Sequence, residues 1–206
     1  MVKVGFGADV FGTTAFLLTV VGSTYCRFLQ FTSIDGRITD HFGLWRYGHY
    51  AIVTDGMQAW YYEGCFPYSE SIEIDSKWKA ARAFDAIVLI GGFLYFMFSA
   101  FSACIGNRRP GRPNIIVGVS LLLLSLFTGL TLLVLDSNLC KSNVLLGELS
   151  GFIFNDQCEL STGANCFISA TVFWFLSALT SLMATGSKND EDDVEGLDEP
   201  LISEDP

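Results

Sequence analysis

The sequence predicts a protein of the all-α membrane class: a four-transmembrane-helix bundle carrying a small extracellular antiparallel β-sheet from its first outer loop. Three observations lead there. Half of the 206 residues are hydrophobic and only 17% are charged, with a mean hydropathy of +0.41, a balance that soluble domains rarely show. The apolar residues gather into four charge-free runs close to the roughly 20 residues a bilayer-spanning helix needs. The net charge of −10 is concentrated at one end, because residues 186–206 hold nine acids against Lys188 alone. The rest of the chain is nearly neutral, with Lys and Arg too thinly spread for a nucleic-acid footprint. His41 and His49 are its only histidines, which argues against multi-histidine chemistry.

Residues 1–9 read as a cytoplasmic N-terminus. Val10 to Cys26 is free of charge and predicts a first span at about 10–28, which doubles as the targeting signal because no small-residue cleavage site follows it. Ala86 to Ile105, Ile115 to Leu135 and Cys166 to Ser187 are also charge-free and predict spans at about 84–105, 115–135 and 166–185. A soluble core of this chain length would struggle to hide all four. The short link after span two carries Arg108, Arg109 and Arg112, and short basic loops stay cytoplasmic. Both termini are then inside, and residues 29–83 and 136–165 form the outer loops. The positions of Cys65, Cys140, Cys158 and Cys166 agree, since all lie in or beside those loops, where disulfides are permitted.

Loop one is too aromatic for a flexible connector. The stretches HFGLWRYGHYAIV and MQAWYYEG, separated by Asp55-Gly56, read as the two strands of a hairpin. Trp78, close to span two, reads as an interfacial anchor. The four outer cysteines allow three pairings, and one thiol in loop one against three in loop two favours a cross-link between the loops, with Cys26 free or paired. Zinc on Asp40, His41, His49 and Cys65 is the rival reading, at a spacing that fits no ligand pattern. Asp9, Asp85 and Asp136 fall at span boundaries and read as water-reaching residues, so no central charge supports a pump. Small-residue pairs such as Ala8 with Gly12, Ser125 with Gly129 and Ser177 with Ser181 serve helix packing or an oligomer. No nucleophile with its base, phosphate loop or metal cluster is visible, so the reading is non-enzymatic and without a cofactor.

Gly43-Leu44-Trp45 after span one, together with Lys79 to Phe84 (KAARAF) at the entry to span two, resembles the claudin and peripheral myelin protein superfamily. That family carries Gly-Leu-Trp and two cysteines in its first outer loop and an Ala-Arg element before its second span. The resemblance covers about residues 8 to 185, so residues 10–185 are taken as a claudin-like domain. It implies a left-handed four-helix bundle under an outer sheet, with Trp45 and Arg82 anchoring the sheet. It also implies roles in cell contact, barrier formation or channel regulation. The chain departs from the pattern where the family has its first cysteine, at Gly48, and no second follows before Cys65. The family disulfide is therefore not carried over, and Cys65 must pair elsewhere.

Residues 186–206 read as a disordered acidic cytoplasmic tail. Within it Asp198, Leu201 and Ile202 resemble an acidic dileucine signal, which would engage a sorting adaptor. The expected protein is a multi-pass scaffold or adhesion protein among membrane lipids, forming homo- or hetero-oligomers, in the plasma membrane or alternatively an endosomal or vacuolar one. The competing expectation is a subunit governing ion passage, although loop one, with five Lys/Arg and seven acids, offers little selectivity field.

Overall fold

The computed structural model describes residues 4–32, 39–55, 58–69, 72–105, 115–141 and 158–195. Four long helices, α1 (Val4–Thr24), α2 (Ser76–Ile105), α3 (Ile115–Thr131) and α5 (Thr162–Glu195), pack in a ring. Helix α1 touches α5 and α2, and α3 touches the same two. A 3₁₀ turn, Leu132–Asp136, and the one-turn helix α4, Asn138–Lys141, follow α3. Over one end lies a five-stranded antiparallel sheet of β1 (Leu29–Thr32), β2 (Thr39–Phe42), β3 (Arg46–Asp55), β4 (Gln58–Pro67) and β5 (Glu159–Leu160), in the order β4-β3-β2-β1-β5.

The boundaries depart from the sequence reading where tertiary contacts outweigh hydropathy. Helix α1 ends at Thr24 rather than near residue 28, because the next residues already belong to the sheet layer: Phe28 N donates to Phe42 O, and Arg27 O accepts from Gly163 N. Helix α2 begins at Ser76, well before the predicted span start near residue 84, where Asp75 Oδ1 accepts from Trp78 N and caps the first turn. The long first strand breaks into β2 and β3 around a bend at Gly43–Trp45, and Asp55 pairs with Gln58, leaving a two-residue hairpin connection. The sheet is not made from loop one alone, since Leu160 and Glu159 pair with Leu29 and Gln30. Helix α5 runs on to Glu195 where a disordered tail was expected; no Gly or Pro interrupts residues 187–195, and Gly196 follows the last turn. Asp198, Leu201 and Ile202 lie outside the described residues.

Three helical stretches, Ser76–Ser102, Ile115–Asp136 and Thr162–Met183, are long and apolar enough to cross a membrane. Across the four helices, polar groups are buried beside an apolar core while large apolar side chains cover the outside. Leu17, Ile90, Leu94, Phe98, Ile116 and Met183 project outward, while Thr19, Asp85, Ser125, Thr128, Ser177 and Ser181 are buried. Buried hydroxyls tie helix to helix, as where Ser125 Oγ donates to Thr171 O (3.0 Å) and Ser177 Oγ to Ala8 O (2.7 Å). Along the antiparallel α1–α2 seam, Ser23 Oγ donates to Asp85 Oδ2 (2.6 Å) near the sheet, and Ser99 Oγ to Asp9 Oδ1 (3.1 Å) at the far end. Both pairs obey one register, which also seats Phe16 against Gly92.

The small residues are absorbed by these internal contacts. A Cβ on Gly22 would lie 2.6 Å from Phe167, one on Gly91 2.8 Å from Leu124, and one on Gly92 2.7 Å from Phe16. Between sheet and helices sits an apolar layer of Phe28, Phe31, Phe42, Leu44, Trp78 and Phe167. Trp78 is only 1% exposed, so it is a core residue rather than the interfacial anchor its position predicts. Its ring fills the layer, and its Nε1 donates to Leu44 O (3.2 Å).

Candidate functional site: a clamp between sheet and bundle

The residues singled out by the sequence converge at the bend between β2 and β3. Gly43 N donates to Arg46 O (2.8 Å), closing a tight turn. A Cβ at Gly43 would meet Arg46 O at 2.7 Å and Tyr25 O at 2.8 Å, so the approach of turn and α1 terminus requires glycine. Leu44 follows with its side chain fully buried. Its carbonyl accepts Arg82 Nε (2.7 Å) and Trp78 Nε1. Gly43 O accepts the Tyr68 hydroxyl (2.7 Å). Burial pushes the Tyr68 phenol well above its ordinary pKa, so it remains a donor across the physiological range.

Arg82 is held by aromatic faces as well as by Leu44. Its guanidinium carbon lies 5.2 Å from the Trp45 ring centroid, 5.3 Å from Tyr68 and 4.7 Å from Trp78. Arginine suits this site because a planar, weakly hydrated cation stacks on rings while still donating in its plane. The Trp45 ring is partly exposed, yet its Nε1 donates to Asp85 Oδ2 (2.6 Å). The structure thus brings Gly43, Leu44, Trp45 and Arg82 together with Trp78 and Tyr68.

Asp85 is the member that sequence reasoning missed. Read as a water-reaching boundary residue, it is completely buried, and its Oδ2 takes donors from both α1 and the sheet, Ser23 Oγ and Trp45 Nε1. A signal was present: Trp78, Arg82 and Asp85 recur at steps of four and three, one stripe of one helix. What hid it was the assumption that a carboxylate near a span end faces water.

The disulfides also correct the sequence reading. Cys26 bonds Cys65, Cys140 bonds Cys158, and Cys166 is free. No disulfide between the two loops forms among the described residues. Cys65 lies opposite Gly48 on the β3–β4 ladder, and a Cβ there would sit 3.8 Å from Cys26 Sγ. The segment just after α1 thus supplies the sulfur that meets β4. The loops are joined by polar contacts instead: β1 with β5, Asp75 Oδ2 accepting from Asn138 N (3.0 Å), and Asp136 paired with both Lys77 and Lys141. The zinc reading loses its thiol to the first disulfide, and no group of three metal-ligating side chains occurs among the described residues.

Chemically, the site is a mechanical junction. One peptide turn is gripped by the cation, carboxylate and indole of Arg82, Asp85 and Trp78 from α2 and by the Tyr68 ring after β4. Set against known proteins, the chain matches no family model and no curated protein.

Proposed function

We propose that the chain is a claudin-like, non-enzymatic membrane scaffold that holds a rigid aromatic sheet above the bilayer for contacts in cis or trans. The observation that carries this reading is the clamp, in which Leu44 O is shared by Arg82 and Trp78 while Trp45 reaches Asp85 inside the bundle. A junction with this many hydrogen bonds favours one orientation of the sheet, and a preferred orientation is what a contact surface needs. In this reading α1 is a fourth span. Val10, Leu17 and Val21 supply its outward apolar stripe, and Asp9 is answered by Ser99. Both termini are assigned to the cytoplasm from the basic link, and the plasma membrane is the first choice of location. The tail motif leaves an endosomal or vacuolar membrane as the alternative.

The test is Trp45→Ala in cells. Membrane insertion should be unchanged, whereas the yield of cross-linked assemblies at the surface should fall severalfold. An unchanged assembly profile with a normally folded bundle would count against the scaffold reading.

A further inference from the structure

Arg82 and Asp85 stand three residues apart on the stripe of α2 that grips the Gly43–Trp45 turn. Each is satisfied on one side only. Arg82 Nε donates to Leu44 O, but its Nη2 is enclosed and without a hydrogen-bond partner. Asp85 Oδ2 receives two donors at 2.6 Å, while Oδ1 is enclosed and unpartnered. Among the described residues neither side chain joins an ion pair. An enclosed donor and an enclosed acceptor of opposite charge are thus both incomplete, at a helical spacing where side-chain ions readily pair.

We propose that Arg82 and Asp85 form a two-position latch: with the sheet docked each is held by the Gly43–Trp45 turn, and when the turn lifts they close on each other as an ion pair within α2. Lifting the turn takes Leu44 O and the Trp45 ring from Arg82, and the indole donor from Asp85. Arg82 then keeps only the ring faces of Tyr68 and Trp78, and Asp85 only the Ser23 hydroxyl, at the end of a lipid-facing helix where incompletely paired ions are disfavoured. Pairing gives Nη2 and Oδ1 the partners they lack. The sheet therefore has a defined released state that competes with docking. This inference concerns the clamp alone and stands or falls separately from the contact role.

Hydrogen exchange at residues 43–47 in lipid nanodiscs reads the equilibrium, with the Trp78 indole hydrogen as the direct probe because its acceptor, Leu44 O, leaves α2 with the turn. Trp45→Phe removes only a docking bond and should accelerate exchange severalfold. Asp85→Asn keeps a carbonyl oxygen for Ser23 and Trp45 but abolishes the ion pair, so exchange should equal or fall below that of the unmodified protein. Acceleration by Asp85→Asn matching that of Trp45→Phe would overturn the latch. A second arm serves if Asp85→Asn does not fold. Arg82→Lys weakens docking yet still pairs with Asp85, whereas Arg82→Gln loses both, so the lysine variant should exchange several times faster than the glutamine variant. The reverse order also overturns the proposal.

Discussion

Three side chains on α2 decide how the sheet is held, and each carries a different part of the load. Trp78 fills space, Arg82 supplies a cation among rings, and Asp85 accepts from two other elements. The burial of Trp78 has a measurable consequence. Trp78→Ala should destabilise the protein by about 3–5 kcal/mol, as large-to-small changes in a core do, and Trp78→Phe by about 1 kcal/mol for the lost bond to Leu44 O. Thermal or denaturant unfolding in detergent checks both, and a surface anchor would give a small effect for either. At this scale Gly43-Leu44-Trp45 and Arg82 were picked out by their resemblance to a family motif, not by the chemistry of the single residues. Asp85 was not, since a carboxylate in a span reads as a boundary marker until its donors, from residues 40 and 62 positions away, are seen.

Among the elements, the seams between helices and the two disulfides set the tolerance to change. Gly22→Ala would drive a methyl to 2.6 Å from Phe167 and 2.9 Å from Gly163 O, a clash that should cost about 1–3 kcal/mol. Gly129→Ala meets only Thr171 Cγ2 at 3.8 Å and should be tolerated, so the pair separates packing glycines from incidental ones in one unfolding experiment. The Cys26–Cys65 bond spans 39 residues and Cys140–Cys158 spans 18. By loop-closure entropy the former should stabilise by about 0.7 kcal/mol more. Cys26→Ser should therefore lower the melting temperature more than Cys140→Ser, and non-reducing peptide mapping should recover the two pairs with Cys166 free. Helix positions were legible to within several residues, because charge-free length is a strong signal. Their ends were not, because Thr24 and Ser76 are fixed by the strand and cap that follow or precede them.

Over the whole molecule, the apolar outer surface of the helices is the dominant fact. Hydroxyl and small residues share the helix interior with Val88, Leu121, Leu124 and Trp174, while many large apolar side chains face outward, as expected where lipid replaces water around the helices. Apart from Asp85, which is bonded to Ser23 and Trp45, the fully enclosed side chains named in the bundle are uncharged. The scaffold reading accordingly expects no ion conductance from the purified protein in planar bilayers. A reproducible single-channel current, lost on substituting Asp85 or Asp9, would favour the ion-passage alternative instead.

The sequence by itself determined the apolar helices and an aromatic sheet after the first of them, because hydropathy and alternation are local properties. Only the tertiary structure decided that Asp85 is buried, that Cys26 takes Cys65, and that residues 159–160 complete the sheet. Each of these depends on partners brought from far along the chain. Such choices turn on distances of a few ångströms between elements, which no local pattern records.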